Sequence, residues 1–237
     1  AREAASIVLL DDCFATVVAA IAEGRQLFWN LRLAYRYLLM IHIPLVLTAA
    51  LIPLAGFPLL YQPIHIVWLE LVIHPSALLA FQALPAPGRL AATRRRTGTA
   101  LFTLREWAVI ALVGCLLAAV VGFGFERSLG PGGGIEHARS FALAALCVAS
   151  ACAVAGLSRL RTPASRWVAG LTIGGTALAM QLPALASRLH VTPLHAPDWA
   201  LAALGGAFAV TPLLVEAAFQ ERGGRAPSKS PDARSAI

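Results

Sequence analysis

The chain has 237 residues, 58% of them hydrophobic and only 13% charged, with a mean hydropathy of +0.73. Soluble domains carry about 25% charged residues, so a water-facing shell is excluded and lipid is the solvent. The net charge of +7 and pI near 10.1 would suit a nucleic-acid binder only with a basic face and polar or aromatic readers; the basic residues instead sit in short stretches between apolar segments, and no nucleic-acid partner is expected.

Residues 1–12 read as soluble. Ile7-Val8-Leu9-Leu10 is a short buried-strand pattern, closed by Asp11-Asp12, which turn the chain and cap a following helix. The chain opens Ala1-Arg2-Glu3 with no initiator Met and no signal peptide, and it reads as a fragment of a longer protein. Residues 14–36 predict a helix too polar for lipid at Glu23, Arg25, Asn30 and Arg32, running unbroken into the first apolar segment.

Six apolar segments follow, at roughly 37–57, 63–84, 106–125, 138–157, 167–187 and 198–219. Each is long enough to cross about 30 Å of hydrocarbon at about 1.5 Å per residue. The last three are rich in Ala and Gly, which suits close helix contact in lipid. The fold class is therefore an all-α membrane protein, a polytopic bundle of about six spans with a long stalk helix at its N-terminal end. The tail, 220–237, is polar and expected to be disordered.

The basic residues orient the bundle. Of nineteen, sixteen fall before the first span, between the second and third, between the fourth and fifth, or after the sixth; only Arg127, Arg139 and Arg188 lie in the alternate loops. Positive charge holds loops in the cytoplasm, so both ends are expected there, in a multi-pass protein of the plasma membrane. Cys13, Cys115, Cys147 and Cys152 form no CxxC pair, and three lie within apolar runs. Neither a disulfide framework nor a zinc ribbon is indicated.

Ionisable groups in mid-span are costly and count as functional candidates. His42 lies in the first span; Glu70 and His74 lie in the second, four apart and on one helix face. Pro44 and Pro75 sit beside them. A proline frees a carbonyl in the preceding turn, so both helices are expected to break there and form a midplane cation site. Imidazoles with a carboxylate suit a transition metal or proton transfer. The bland alternatives are that His42 hydrogen-bonds across the bundle and that His74 only partners Glu70.

Elsewhere the bland reading dominates. His65 is expected at the membrane interface. Glu126, Glu136 and His137 flank a flexible GPGGG turn, and Glu216 is expected to pair locally or reach the boundary. Trp107, Trp167 and Trp199 stand at span ends as interfacial anchors. RRRTGT at 94–99 lacks the Gly-Lys-Ser/Thr of a phosphate loop and reads as a cytoplasmic anchor.

The opening stretch, AREAASIVLLDDCFATVVAAIAEGR and then NLRLAYRYLL, resembles the end of the phosphorylation domain and the stalk helix of bacterial-type P-type cation-transporting ATPases related to calcium-type pumps. PIHIVWLELVIHP resembles that family's sixth span, LHAPDWALAALGG the entry to its tenth, and VTPLLVEAAF the exit. The resemblance implies a remnant of the phosphorylation domain at 1–13, a stalk helix at 14–36, a six-helix transmembrane domain at 37–219 and a cytoplasmic tail at 220–237. It implies the ion-pathway part of a pump that moves a cation by ATP hydrolysis. The alternative is a six-span secondary transporter or channel.

The family's Asp-Lys-Thr-Gly-Thr, Thr-Gly-Glu and Gly-Asp-Gly-x-Asn-Asp motifs do not occur in these residues. By resemblance, ATP and Mg²⁺ belong to actuator, phosphorylation and nucleotide domains which, with four further spans, are the missing partners; no catalytic or cofactor-binding residue is expected within the chain. Aligned on the family pattern, His42 stands where a ligand Asn would be, Leu45 replaces a Glu, Glu70 an Asn, Ile73 a Thr and His74 an Asp. The oxygen set of a calcium pump is largely gone, and calcium specificity does not carry over. His42, Glu70 and His74 remain the candidate metal or proton ligands.

Overall fold

A computed structural model describes residues 13–85, 101–130 and 134–224. These residues are helical, with no strand among them: α1 (Phe14–Leu54), α2 (Pro63–Phe81), α3 (Leu104–Ser128), α4 (Ile135–Ser158), α5 (Pro163–Gln181), α6 (Pro183–Leu189) and α7 (Ala196–Gly224). The strand pattern at 7–10, the Asp11-Asp12 cap and the RRRTGT stretch lie outside the described residues. Five helices are long and apolar enough to cross a membrane, and six spans result if the bent pair α5–α6 counts as one.

α1 is the 41-residue helix that joins stalk to span without interruption. Its polar stalk residues do structural work at the foot of α2. Asn30 Nδ2 donates to the Gln82 carbonyl at 2.8 Å, and Gln26 Nε2 donates to the Leu84 carbonyl at 2.6 Å and to Asn30 Oδ1 at 2.9 Å. The last carbonyls of a helix have no partner within it, and α1 supplies one. This fixes the lower end of α2 against α1.

Helix starts are written in local chemistry. α2 begins Gln62-Pro63, with Pro at the first helical position, where no N–H is needed. α3 opens on Thr103, whose Oγ1 accepts from Glu106 N–H at 3.3 Å while Glu106 accepts from Thr103 N–H at 2.8 Å. Thr162 and Pro163 open α5 in the same manner.

Neither α1 nor α2 breaks at its proline, contrary to expectation. α1 runs through Pro44 and Pro53, and α2 through Pro75. Thr48 Oγ1 donates to the Pro44 carbonyl at 2.7 Å and Ser76 Oγ to the Val72 carbonyl at 2.6 Å, whereas the carbonyls that lose an N–H partner to Pro44 and Pro75 are those of Met40 and Leu71, four residues before each. The break falls instead within the predicted fifth span, where α5 and α6 meet at 90°. Leu182 is extended (φ −83°, ψ 117°), and Pro183 starts the second piece.

α4 is the centre of the bundle, packing on α1, α2, α3, α5 and α7. Its run of Ala, Ser and Cys from Ala142 to Val154 is almost wholly buried. Small side chains let neighbouring backbones approach. At Gly206 of α7 a Cβ would meet the Ala149 amide nitrogen at 3.1 Å, so a side chain there would push α7 off α4. α7 also continues past Phe219 to Gly224, through residues expected to be disordered; Ala217, Ala218 and Gln220 are good helix formers.

Candidate cation site between α1 and α2

α1 and α2 are consecutive and joined by only eight residues, 55–62, so they run antiparallel side by side. Two features register them at the outer end. Tyr61 donates its hydroxyl proton to Thr48 Oγ1 at 3.0 Å, since the Thr48 proton is already committed to the Pro44 carbonyl. Burial pushes the Tyr61 phenol well above the ordinary tyrosine range and keeps it a neutral donor. His65 accepts the Gln62 N–H through Nδ1 at 3.1 Å and donates from Nε2 to the Leu189 carbonyl at 2.6 Å. It is fully buried within the protein at the outer end of α2; its place as a helix cap was legible only in the Gln-Pro-x-His spacing.

With the foot fixed by Asn30 and the head by Tyr61, three side chains converge midway. His42 Nε2 lies 3.4 Å from Glu70 Oε1, and His74 Nδ1 lies 2.5 Å from Glu70 Oε2. One ligand atom from each of the three falls within 4.8 Å of the others. The imidazole rings stand edge to face, centroids 5.6 Å apart. His42 Nδ1 is 2.8 Å from the Leu38 carbonyl. A carbonyl only accepts, so Nδ1 carries the proton and Nε2 is the atom that faces the carboxylate.

The cluster is open on one side. The side chains of His42 and Glu70 are 31% and 34% exposed and that of His74 is 58% exposed. A carboxylate at this depth has to be met by a cation, a proton or a base.

A second carboxylate within a span is treated differently. Glu216 of α7 pairs with Arg36 of α1 through Arg36 Nη2, with both side chains buried. The partners are 180 residues apart, so the local pairing expected for Glu216 is wrong. Above the pair, a cavity of about 380 Å³ opens between α1, α3, α4 and α7, lined by Arg32, Arg36, Glu106, Arg161 and Glu216 among others. Arg32 reaches Glu106 at 2.5 Å and the Leu101 carbonyl at 2.8 Å. On the opposite side of the bundle His137 Nε2 approaches Asp198 Oδ2 at 3.6 Å, tying the start of α4 to the start of α7. The expectation of a simple turn at His137 missed this contact.

Comparison with known proteins places this architecture. The family model for the C-terminus of cation transporting ATPases matches residues 58–219, from the end of the α1–α2 loop almost to the end of α7. The chain belongs to this family. Among similar curated proteins, the calcium-transporting ATPase of Bacillus subtilis (strain 168) is 44% identical over 72 residues, which is 30% of this chain and 8% of that protein. Calcium-transporting ATPase 2, endoplasmic reticulum-type, of Arabidopsis thaliana is 35% identical over 83 residues, 34% of this chain and 8% of the relative. A probable calcium-transporting ATPase of Trypanosoma brucei brucei is 38% identical over 85 residues, 35% of this chain and 8% of the relative. The matched segments thus span a small part of each relative's length. The family match includes Glu70 and His74 and begins after His42.

Proposed function

We propose that this chain is the ion-pathway part of an ATP-driven cation pump, and that the cation binds between α1 and α2 at His42, Glu70 and His74. The observation that carries the site is the convergence of three ligand-type side chains from two helices at a depth where a carboxylate is costly. The family match supports the pump over a secondary transporter or channel. On this reading ATP and Mg²⁺ are handled by the rest of a whole pump, since the match covers only 8% of each calcium-transporting relative. α1 then connects those domains to the site, because one helix runs from Phe14 past His42.

The test is Glu70→Gln in the full-length protein. Cation-stimulated ATP hydrolysis should fall to background while yield and helix content match the parent. A variant as responsive to cations as the parent would remove the site.

The placement of basic residues supports both ends in the cytoplasm, and we take the membrane to be the plasma membrane. A single cysteine replacing Glu136 in a chain cleared of its native cysteines should then react with an impermeant reagent from outside, and one replacing Arg161 should not. Both positions are exposed, so accessibility depends on the side of the membrane alone. The opposite labelling pattern would reverse the topology.

A further inference from the structure

We infer that the cation held between α1 and α2 is a divalent d-block ion of the zinc class, bound through histidine nitrogens, and not calcium. The inference rests on reading His42, Glu70 and His74 as the site of the transported ion.

The donor set points this way first. Two imidazoles and one carboxylate within 4.8 Å are a familiar set for zinc with one coordination position left open. Calcium needs six to eight oxygens. Among the described residues the neighbouring positions are poor in them: Leu45 and Ile73 are apolar, and Thr48 is engaged with the Pro44 carbonyl and Tyr61. The Leu38 carbonyl is occupied by His42.

The second argument is the tautomer of His42. A metal-binding histidine nearly always donates its other ring N–H to a carbonyl or carboxylate, which fixes the ring and raises the basicity of the ligating nitrogen. His42 makes that bond to Leu38 at 2.8 Å. Its Nε2 then faces Glu70 Oε1 at 3.4 Å, so that contact calls for either a proton on Nε2 or a cation between the two atoms.

A proton shared with Glu70 is the competing occupant. It would sit between Glu70 Oε2 and His74 Nδ1, 2.5 Å apart, and a metal has to displace it to gain both ligands. The second imidazole, held in its ligating tautomer, is what a metal uses and a proton does not.

The experiment is a titration of the full-length protein in detergent with Co²⁺, a visible-absorbing stand-in for zinc, with ATP hydrolysis measured alongside. One Co²⁺ per chain should bind with the intense absorption of a four-coordinate ion, and Zn²⁺ but not Ca²⁺ should displace it. Zn²⁺ or Co²⁺, and not Ca²⁺, should stimulate hydrolysis. The double variant His42→Asn, His74→Asp keeps polar groups of similar size and should weaken Co²⁺ binding at least about tenfold with yield unchanged. Raising the proton concentration should also weaken it, because imidazole must shed its proton to ligate.

Hydrolysis stimulated by Ca²⁺, with no Co²⁺ site, would overturn the metal class and keep the pump. Hydrolysis that follows pH and ignores every divalent ion would overturn it in favour of a proton. Co²⁺ held by His42 and His74 in a protein whose hydrolysis ignores all cations would uphold the metal class and overturn the pump reading instead.

Discussion

Glu70 and Glu216 each lie inside a span and face a partner on α1, and they are housed in opposite ways. Glu216 meets Arg36 with side chains 2% and 9% exposed, beside the cavity that both help to line. Glu70 meets His42 and His74 with side chains between 31% and 58% exposed. The two partners on α1 are six residues apart, about 9 Å along the helix at about 1.5 Å per residue. An arginine keeps its charge at every accessible pH, so the Arg36–Glu216 pair carries its own neutralisation. Histidines can be neutral, so Glu70 draws its counter-charge from whatever binds. The closed pair is a fastener between α1 and α7, and the open cluster is a site.

The strongest way to break this contrast is to neutralise each carboxylate in turn. Glu70→Gln should bring cation-stimulated hydrolysis down to background, with thermal stability in detergent close to that of the parent. Glu216→Gln should do the reverse. It leaves Arg36 buried without a counter-charge, a loss of about 3–5 kcal/mol, seen as a large fall in melting temperature and yield. If Glu216→Gln melted like the parent but lost cation response, the fastener would be part of the ion path.

The double variant Arg36→Met, Glu216→Leu sharpens the same point. Replacing both members of a buried pair with apolar groups of similar volume is often neutral or stabilising. Stability should therefore return to within about 1 kcal/mol of the parent, and cation-stimulated hydrolysis with it. Recovery of stability without recovery of hydrolysis would give the pair a role in coupling.

How much of this was legible in the sequence depends on the range of the interaction. Span number and the continuous stalk-to-span helix followed from apolar length, which acts locally. Glu70 and His74 were readable because four residues make one helical turn, and His42 because an imidazole in a span is rare. The Arg36–Glu216 pair was not readable, because it depends on α7 packing against α4 beside α1, a product of the whole bundle. Prolines show the same limit in smaller form. Pro44, Pro75 and Pro183 look alike in sequence, yet only Pro183 marks a break. The first two have Thr48 or Ser76 bonded to carbonyls of the adjoining turn, whereas Pro183 follows an extended Leu182 and opens a new helix.

A smaller effect separates the fastener from a second pair beside it. Glu106 closes the capping box of α3 and meets Arg32, whose side chain is 15% exposed. Glu106→Ala removes one cap interaction, worth about 1 kcal/mol, and a partly hydrated ion pair worth up to about 1 kcal/mol. The expected loss is about 1–2 kcal/mol, read by thermal melting, with cation affinity untouched. A loss as large as that of Glu216→Gln would mean that Arg32, and not Arg36, anchors the foot of α1.

The smallest expected effect tests whether the turn around Pro75 belongs to the open site or merely to the fold. Ser76 Oγ donates to the Val72 carbonyl at 2.6 Å and stands 3.4 Å from Thr172 Oγ1. The first contact is a full hydrogen bond within α2; the second is too long to contribute much. Side-chain hydrogen bonds between spans average about 0.6 kcal/mol, so Ser76→Ala should lower stability by about that amount and leave α5 in place. Ser76 is two residues from His74, so any added freedom of the Pro75 turn is felt first at the His74 ring. If the turn only supports the fold, cation affinity stays within about threefold of the parent, since 0.6 kcal/mol is about a factor of three even when wholly expressed in one equilibrium. A tenfold change in affinity with unchanged melting would mean that the proline turn moves as the ion binds, and that the Ser76 hydroxyl sets how far His74 can follow it.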